Sequence, residues 1–217
     1  MIEYHKIETV YKRDEEGSKK LMEGVWRSKT LEYLKNNEFV FTEKVDGTNI
    51  SVEWDGHEIS FHGRTDKAQI PSHLLEYLEN TFSGNENEEI FEQLFGEDSF
   101  ILYGEGYGNK IQKAGSKYCP DGSVNFILFD IYACKSRVWL DRSSVEEIAK
   151  AFNVKVVPEV FRGTINEAID YIKSDPLSII GEERLPMEGV VGRPPIELKD
   201  KCGNRIIFKL KVKDFRE

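Results

Sequence analysis

Lys44 lies in Glu43-Lys44-Val45-Asp46-Gly47-Thr48-Asn49, a stretch whose residue types suit covalent chemistry. Glu38 to Thr42 before it is rich in aromatic and β-branched residues and reads as a strand. Ile50 to Trp54 after it alternates apolar and polar residues and reads as a second strand. Lys44 therefore stands at a strand end, entering a tight turn at Asp46-Gly47. Gly47 gives the turn backbone freedom, and Asp46 and Asn49 can hydrogen-bond its backbone. A lysine amine on a rigid loop can serve as a nucleophile if desolvation or neighbouring cations keep it partly neutral. An ordinary hairpin turn with a solvated lysine fits these seven residues equally well.

Other segments carry chemistry at element ends. Glu58 to Thr65 reads as a strand running into a glycine turn, and Arg64 follows Lys44 by 20 residues, so a strand-turn-strand path can return it beside the nucleophile. Phe100 to Tyr103 is an apolar strand ending in Gly104-Glu105-Gly106, where flanking glycines leave the acid open to a ligand. Val124 to Tyr132 is a second apolar strand, with Phe129 just before Asp130. Glu188 precedes a glycine at the head of an apolar strand. Arg205 to Lys213 alternates strictly, placing Lys209, Lys211 and Lys213 on one face and Phe208, Leu210 and Val212 on the other. Such a lysine ladder can equally protect an edge strand from aggregation.

The remaining elements read as scaffold. Ser18 to Asn36 suggests one or two short helices, and residues 72–95 two more, split at Ser83-Gly84-Asn85. Residues 137–140 suggest a hairpin strand, Ser143 to Phe152 an N-capped helix, Val154 to Val160 a strand and Thr164 to Ile172 a helix.

At 217 residues with 39% hydrophobic and 12% aromatic residues, the chain fits a single globular domain over 1–217. No apolar run reaches membrane-spanning length, and the N-terminus has no signal-peptide pattern. Cys119, Cys134 and Cys202 are isolated and outside metal-ligand spacing, which fits a reducing, cytoplasmic setting. The net charge of −9 argues against a strongly basic nucleic-acid binder, while leaving room for a local basic groove.

Lys-Val-Asp-Gly-Thr-Asn resembles the lysine-x-aspartate-glycine signature of the covalent nucleotidyltransferases, which comprise polynucleotide ligases and mRNA capping enzymes. The form Glu-Lys-x-x-Gly-Thr-Asn is most similar to the RNA ligase 2 family of phage and of kinetoplastid RNA editing. Lys44, Arg64, Glu105, Phe129, Glu188, Lys209 and Lys211 follow the family order and nearly span the chain. Asn109-Lys110 departs from the usual Pro-Gly ahead of Ile111-Gln112-Lys113.

The resemblance implies an α+β nucleotidyltransferase fold: antiparallel sheets flanked by helices, an ATP-grasp-like cleft and no OB-fold. It implies an ATP-dependent RNA ligase in which Lys44 forms lysyl-AMP, AMP passes to an RNA 5′-phosphate, and a 3′-hydroxyl seals the strand. The implied nucleotide contacts are Glu43, Val45 and Asn49 around the nucleophile, Arg64 and Glu105 at the ribose, Phe129 on the adenine, and Lys209 and Lys211 at the α-phosphate. Glu188 is the implied ligand of Mg²⁺, with Mn²⁺ as a substitute. The chain stops six residues after Lys211, so neither an OB-fold nor a helical C-terminal domain is expected. The chain is then expected to be either a naturally minimal enzyme or one half of a partnership in which a second protein grips the nucleic acid, in a nicked duplex for example. The alternatives are a minimal DNA ligase, a capping-type enzyme, or a nucleic-acid-binding relative without sealing activity.

Overall fold

Apolar residues recur every second position in the extended segments and on one stripe of the longer helices, so sheets and helices each present one face to a core. The computed structural model describes residues 2–65, 67–181 and 184–216. In chain order come β1 (Tyr11–Arg13), β2 (Leu21–Trp26), α1 (Lys29–Leu34), β3 (Phe39–Lys44), β4 (Thr48–Trp54) and β5 (Ile59–His62). Then follow α2 (Ser72–Phe82), α3 (Asn85–Phe95), β6 (Phe100–Gly108), α4 (Gly115–Tyr118), β7 (Val124–Ala133) and β8 (Val138–Trp139). The last are α5 (Arg142–Ala151), β9 (Lys155–Val156), β10 (Glu159–Gly163), α6 (Ile165–Lys173), β11 (Gly189–Arg193) and β12 (Phe208–Lys211).

The chain divides into two compact units, and each has its own sheet and core. It passes from the second unit into the first between Val45 and Asp46 and returns between Val157 and Pro158.

The first unit holds the sheet β5-β4-β6-β7-β8, with β9 alongside β7. Its strand pairs are antiparallel except β7 with β9. Ile50, Val52 and Trp54 of β4 face a core shared with Leu74, Leu78 and Phe82 of α2, Phe91 of α3 and Phe126 of β7. The glycines around Glu105 serve this core. A Cβ on Gly104 would lie 2.2 Å from the Phe126 ring, and one on Gly106 would lie 2.5 Å from Leu74. Because side chains alternate along β6, Glu105 points to the sheet's other face, so its flanking glycines answer to packing beneath it.

The second unit holds the antiparallel sheet β10-β3-β11-β12 and the hairpin β1–β2. Phe39 and Phe41 of β3, Val190 of β11 and Phe208 and Leu210 of β12 are at most 1% exposed and pack against Ile165, Ile169 and Ile172 of α6. Removing a phenylalanine ring from such a core costs about 3–5 kcal/mol, so these rings hold β3, β11 and β12 in register. Thr164 and Glu167 form a capping box that starts α6.

Three expectations about elements change. Leu21–Trp26 is a strand where a helix was expected: it pairs with β1, Trp26 stacks edge-on against Tyr11 at 5.0 Å, and Gly24 sits at φ 84°. The helix α1 begins only after Ser28, whose side chain accepts a hydrogen bond from Thr30 N. The strand expected over 154–160 is broken at Pro158, where the chain changes unit. The final strand stops at Lys211 and turns into a 3-10 helix over Val212–Asp214.

Candidate active site

Lys44 ends β3 and Lys211 ends β12, and both pair across the central strand with the same residue, Gly189 of β11. Three antiparallel strands thus bring two lysines to the same level of the sheet on either side of the strand that Glu188 leads. A Cβ on Gly189 would stand 2.1 Å from Leu210 O, so a side chain at this position would push β12 away. The Glu188 carboxylate bridges the lysines: Lys44 Nζ donates to Oε2 at 2.7 Å and Lys211 Nζ to Oε1 at 2.6 Å. All three side chains are about four-fifths buried. Burial by itself pushes the Glu188 carboxyl up, but the Lys44 charge and the lysine hydrogen bonds outweigh it and hold it below the usual value.

Lys209 shares the exposed face of β12 with Lys211, while Phe208 and Leu210 between and beside them are buried. It lies two residues back, about 6–7 Å along the strand. There Lys209 N donates to Glu8 O at 2.9 Å, and its charge helps to lower the Glu8 carboxyl against the raising effect of burial.

Glu43 points to the other side of β3 from Lys44. It is 1% exposed, and both its oxygens are engaged: Ser178 Oγ donates to Oε1 at 2.5 Å and Ile179 N to Oε2 at 2.9 Å. Here burial prevails over the hydrogen bonds from Ser178, Ile179 and Ile180, and the carboxyl is raised. A carboxyl raised on folding contributes stability below its unfolded value, near 4.5, and loses it as pH rises through the folded value. Glu43→Gln keeps the geometry, with its carbonyl accepting from Ile179 N and its amide donating to Ser178 Oγ. The variant is expected to be at least as stable as the parent at pH 7 and to lose any advantage below about pH 4.5. Denaturant midpoints at both pH values check this. Glu43→Ala, which orphans the Ile179 N–H, should instead cost about 1–3 kcal/mol.

In the first unit, Asn49 pairs with Glu105, and Glu105 pairs in turn with Ile127. Arg64 is exposed and lies two residues past His62, the last residue of β5, which pairs with Ser51. A Cβ on Gly47 would lie 2.3 Å from Gly106 O and 2.7 Å from Glu105 Cγ. Glycine is thus required because the loop lies directly on the Glu105 strand. The Asp46 N–H donates to Tyr118 Oη at 3.2 Å, and Gln112 Nε2 donates to Gly47 O at 3.2 Å. Val45, just before the loop, is 3% exposed, and its carbonyl accepts from Lys44 Nζ at 3.4 Å.

Phe129 is the extra residue of a β-bulge, since Tyr103 pairs with Asp130 while Gly104 pairs with Leu128. It is half-buried and meets the Tyr4 ring edge-on at 5.1 Å. Phe126, three residues earlier on the same strand, is a core residue against Phe82. Tyr4 also donates to the buried Asp130 Oδ2 at 2.5 Å.

The second unit therefore brings together Lys44, Glu188 and Lys211, with Lys209 next along the strand. The first pairs Asn49 with Glu105 on neighbouring strands, and Arg64 follows the end of β5. Sequence reasoning passed over Tyr118 and Ser178, which support the loop and Glu43. Neither stands in a motif, and only the contact with a residue far along the chain gives it a role.

No group of three or more His, Cys, Asp or Glu able to hold a metal occurs among the described residues. A divalent cation at Glu188 would take one protein carboxylate and fill its shell with phosphate oxygens and water, the usual habit of Mg²⁺. No helix among the described residues is long and apolar enough to cross a membrane.

The RNA ligase family model matches residues 37–211. Among solved structures, a variant of Naegleria gruberi RNA ligase with ATP and Mn is similar at TM-score 0.64 and 22% identity, over 86% of this chain and 53% of that one. The same ligase with pyrophosphate gives 0.63 and 22% over 86% and 52%. A variant with AMP and Mn gives 0.64 and 21% over 86% and 53%. The chain thus spans about half the length of these structures. No curated protein sequence matches it. The family match runs from just before β3, which carries Lys44, to Lys211 at the end of β12, and on that extent the chain belongs to the RNA ligase family.

Proposed function

We propose that the chain is the adenylyltransferase part of an ATP-dependent RNA ligase and that Lys44 is its nucleophile. The observation that carries this reading is the cluster in which Glu188 bridges Lys44 and Lys211 on the two strands that flank β11. The ATP, AMP and Mn of the Naegleria gruberi RNA ligase structures support the choice of nucleotide and metal.

In this reading neutral Lys44 Nζ attacks the α-phosphorus in line. The N–P bond forms, the bond to pyrophosphate breaks, and the nitrogen sheds a proton. Lys209 and Lys211 offset the charge that develops on the phosphoryl oxygens. Their charge also favours the neutral form of Lys44. A divalent cation held by Glu188 would supply further charge neutralisation at the phosphate. Glu188 then has two partners to choose between. Were its carboxylate to hold the cation, it would no longer stabilise the Lys44 ammonium.

Glu105, Arg64 and Asn49 take the nucleoside, and Phe129 offers its ring to the purine. Glu43 supports Lys44 through the backbone of β3, and Val45, the residue after the strand, offers its carbonyl. AMP then passes to an RNA 5′-phosphate, and a 3′-hydroxyl displaces it to seal the strand. RNA with a 3′-hydroxyl and a 5′-phosphate end, a nicked duplex being one form of it, a second protein or domain gripping the nucleic acid, and a cytoplasmic setting belong to the same proposal.

Incubation with α-labelled ATP, GTP or NAD and Mg²⁺, followed by denaturing electrophoresis, tests it. Label from ATP alone is expected. Label from GTP would move the reading to capping chemistry, and no label from any of them would sink it.

A further inference from the structure

The segment between β6 and β7 is set apart by its charge. Acidic residues outnumber basic ones by 39 to 30 in the whole chain, yet residues 109–123 carry three lysines and one acid, Asp121. Lys110, Lys113 and Lys117 are all exposed. They lie on a folded turn held at several points. Asn109 N donates to Ser123 O at 2.9 Å, His73 Nε2 meets Asn109 O at 3.0 Å, and Gly115 N donates to Gln112 O at 3.0 Å. Gly115 packs so closely on Gly108 O that a Cβ would stand 1.8 Å away. Lys110 is held at φ 60°, a left-handed conformation that non-glycine residues seldom adopt. The three ammoniums are thus presented from a built surface.

The same segment clamps the loop that follows Lys44 in the chain. Gln112 holds the Gly47 carbonyl, and Tyr118, buried and packed edge-on against Tyr107 at 5.6 Å, holds the Asp46 N–H. We propose that Lys110, Lys113 and Lys117 form a docking surface for the phosphodiester backbone of the RNA strand being joined, bringing RNA phosphates to the loop behind the nucleophile. The inference rests on the ligase reading and adds to it where the RNA is gripped. Three exposed lysines against a single acid in the segment fit a polyanion of regular spacing, whose binding releases counterions and is steeply salt-dependent. An acidic protein partner is the competing occupant.

The test uses the full chain and its Lys110→Ala/Lys113→Ala/Lys117→Ala variant. Two quantities are measured: label transfer from α-labelled ATP, and affinity for a fluorescent 5′-phosphorylated single-stranded RNA across a salt series. The substitutions are at exposed positions, so labelling should match the parent, which also shows that the variant is folded. RNA affinity at low salt should fall at least ~10-fold. The slope of log affinity against log salt should become shallower by about 2, from roughly 0.7 per phosphate contact on a single strand. A Lys→Arg triple variant should retain both affinity and slope. Normal labelling with unchanged RNA affinity and slope would overturn the docking surface and leave the ligase reading intact. So would a parent that takes label yet does not bind RNA at low salt, or one whose RNA is displaced equally well by an acidic peptide. Failure of the parent to take label would remove the ligase reading and this inference with it.

Discussion

Lys44→Ala should abolish covalent labelling by ATP, a loss on the order of 10³-fold or more, as expected when a covalent nucleophile is deleted. Lys44→Arg should fail as completely while behaving differently in stability. An arginine can keep an ion pair with Glu188, so the cluster would retain its alternating charges. Its guanidinium stays protonated at any working pH and offers no lone pair to phosphorus. Alanine removes the charge as well and leaves Glu188 with Lys211 alone. The pair of variants therefore separates chemistry from folding: both take no label, and only Lys44→Ala changes the acid sensitivity of unfolding. A Lys44→Arg chain that labels like the parent would show that the nucleophile lies elsewhere.

Glu188→Gln is expected to have the second-largest effect. Its carboxylate is the one acid between two lysines, and the three side chains are only 16–22% exposed. Removing one partner from a fully buried pair costs about 3–5 kcal/mol; for this partly solvated cluster a loss of roughly 1–3 kcal/mol at pH 7 follows. The sign with pH is set by the lowered carboxyl. A group depressed on folding contributes stability above its unfolded value, near 4.5, and loses it as pH falls through the folded value. The difference between parent and Glu188→Gln should therefore be full at neutral pH and shrink below about pH 4.5, the reverse of the Glu43→Gln comparison. Labelling should fall about 10²–10³-fold, because the amide can neither bind a divalent cation as a carboxylate does nor hold Lys44 in register. Denaturant titrations at several pH values and initial labelling rates measure the two effects. Equal acid sensitivity of parent and variant would contradict the charge assignment.

Part of the candidate site was legible because Lys44, Glu188 and Lys211 stand at strand ends with strong local signals, whereas Glu105 and Phe129 lie inside β6 and β7. The alternation of Phe208, Lys209, Leu210 and Lys211 reads directly as a two-faced strand, and that is how the residues are buried. The apolar runs around Lys44, Glu105 and Phe129 likewise became β3, β6 and β7. What could not be read depends on partners far along the chain. Leu21–Trp26 has helix-compatible residues, and only pairing with Tyr11–Arg13 makes it a strand. Gly104 and Gly106 suggested ligand access, whereas Phe126 and Leu74 require them from below. The bridging of two lysines by Glu188 needs the order β3-β11-β12, which no local pattern encodes. The division into two units has no linker signature either, since the chain changes unit inside the Lys44 turn and at Pro158.

The measurement that bears most directly on the central claim is peptide mapping by mass spectrometry of the chain after incubation with ATP and Mg²⁺. The proposed chemistry predicts a single AMP adduct on Lys44, acid-labile as a phosphoramidate is, and discharged on adding pyrophosphate. An adduct on any other residue, or an unmodified Lys44 in a chain that binds ATP, would contradict it.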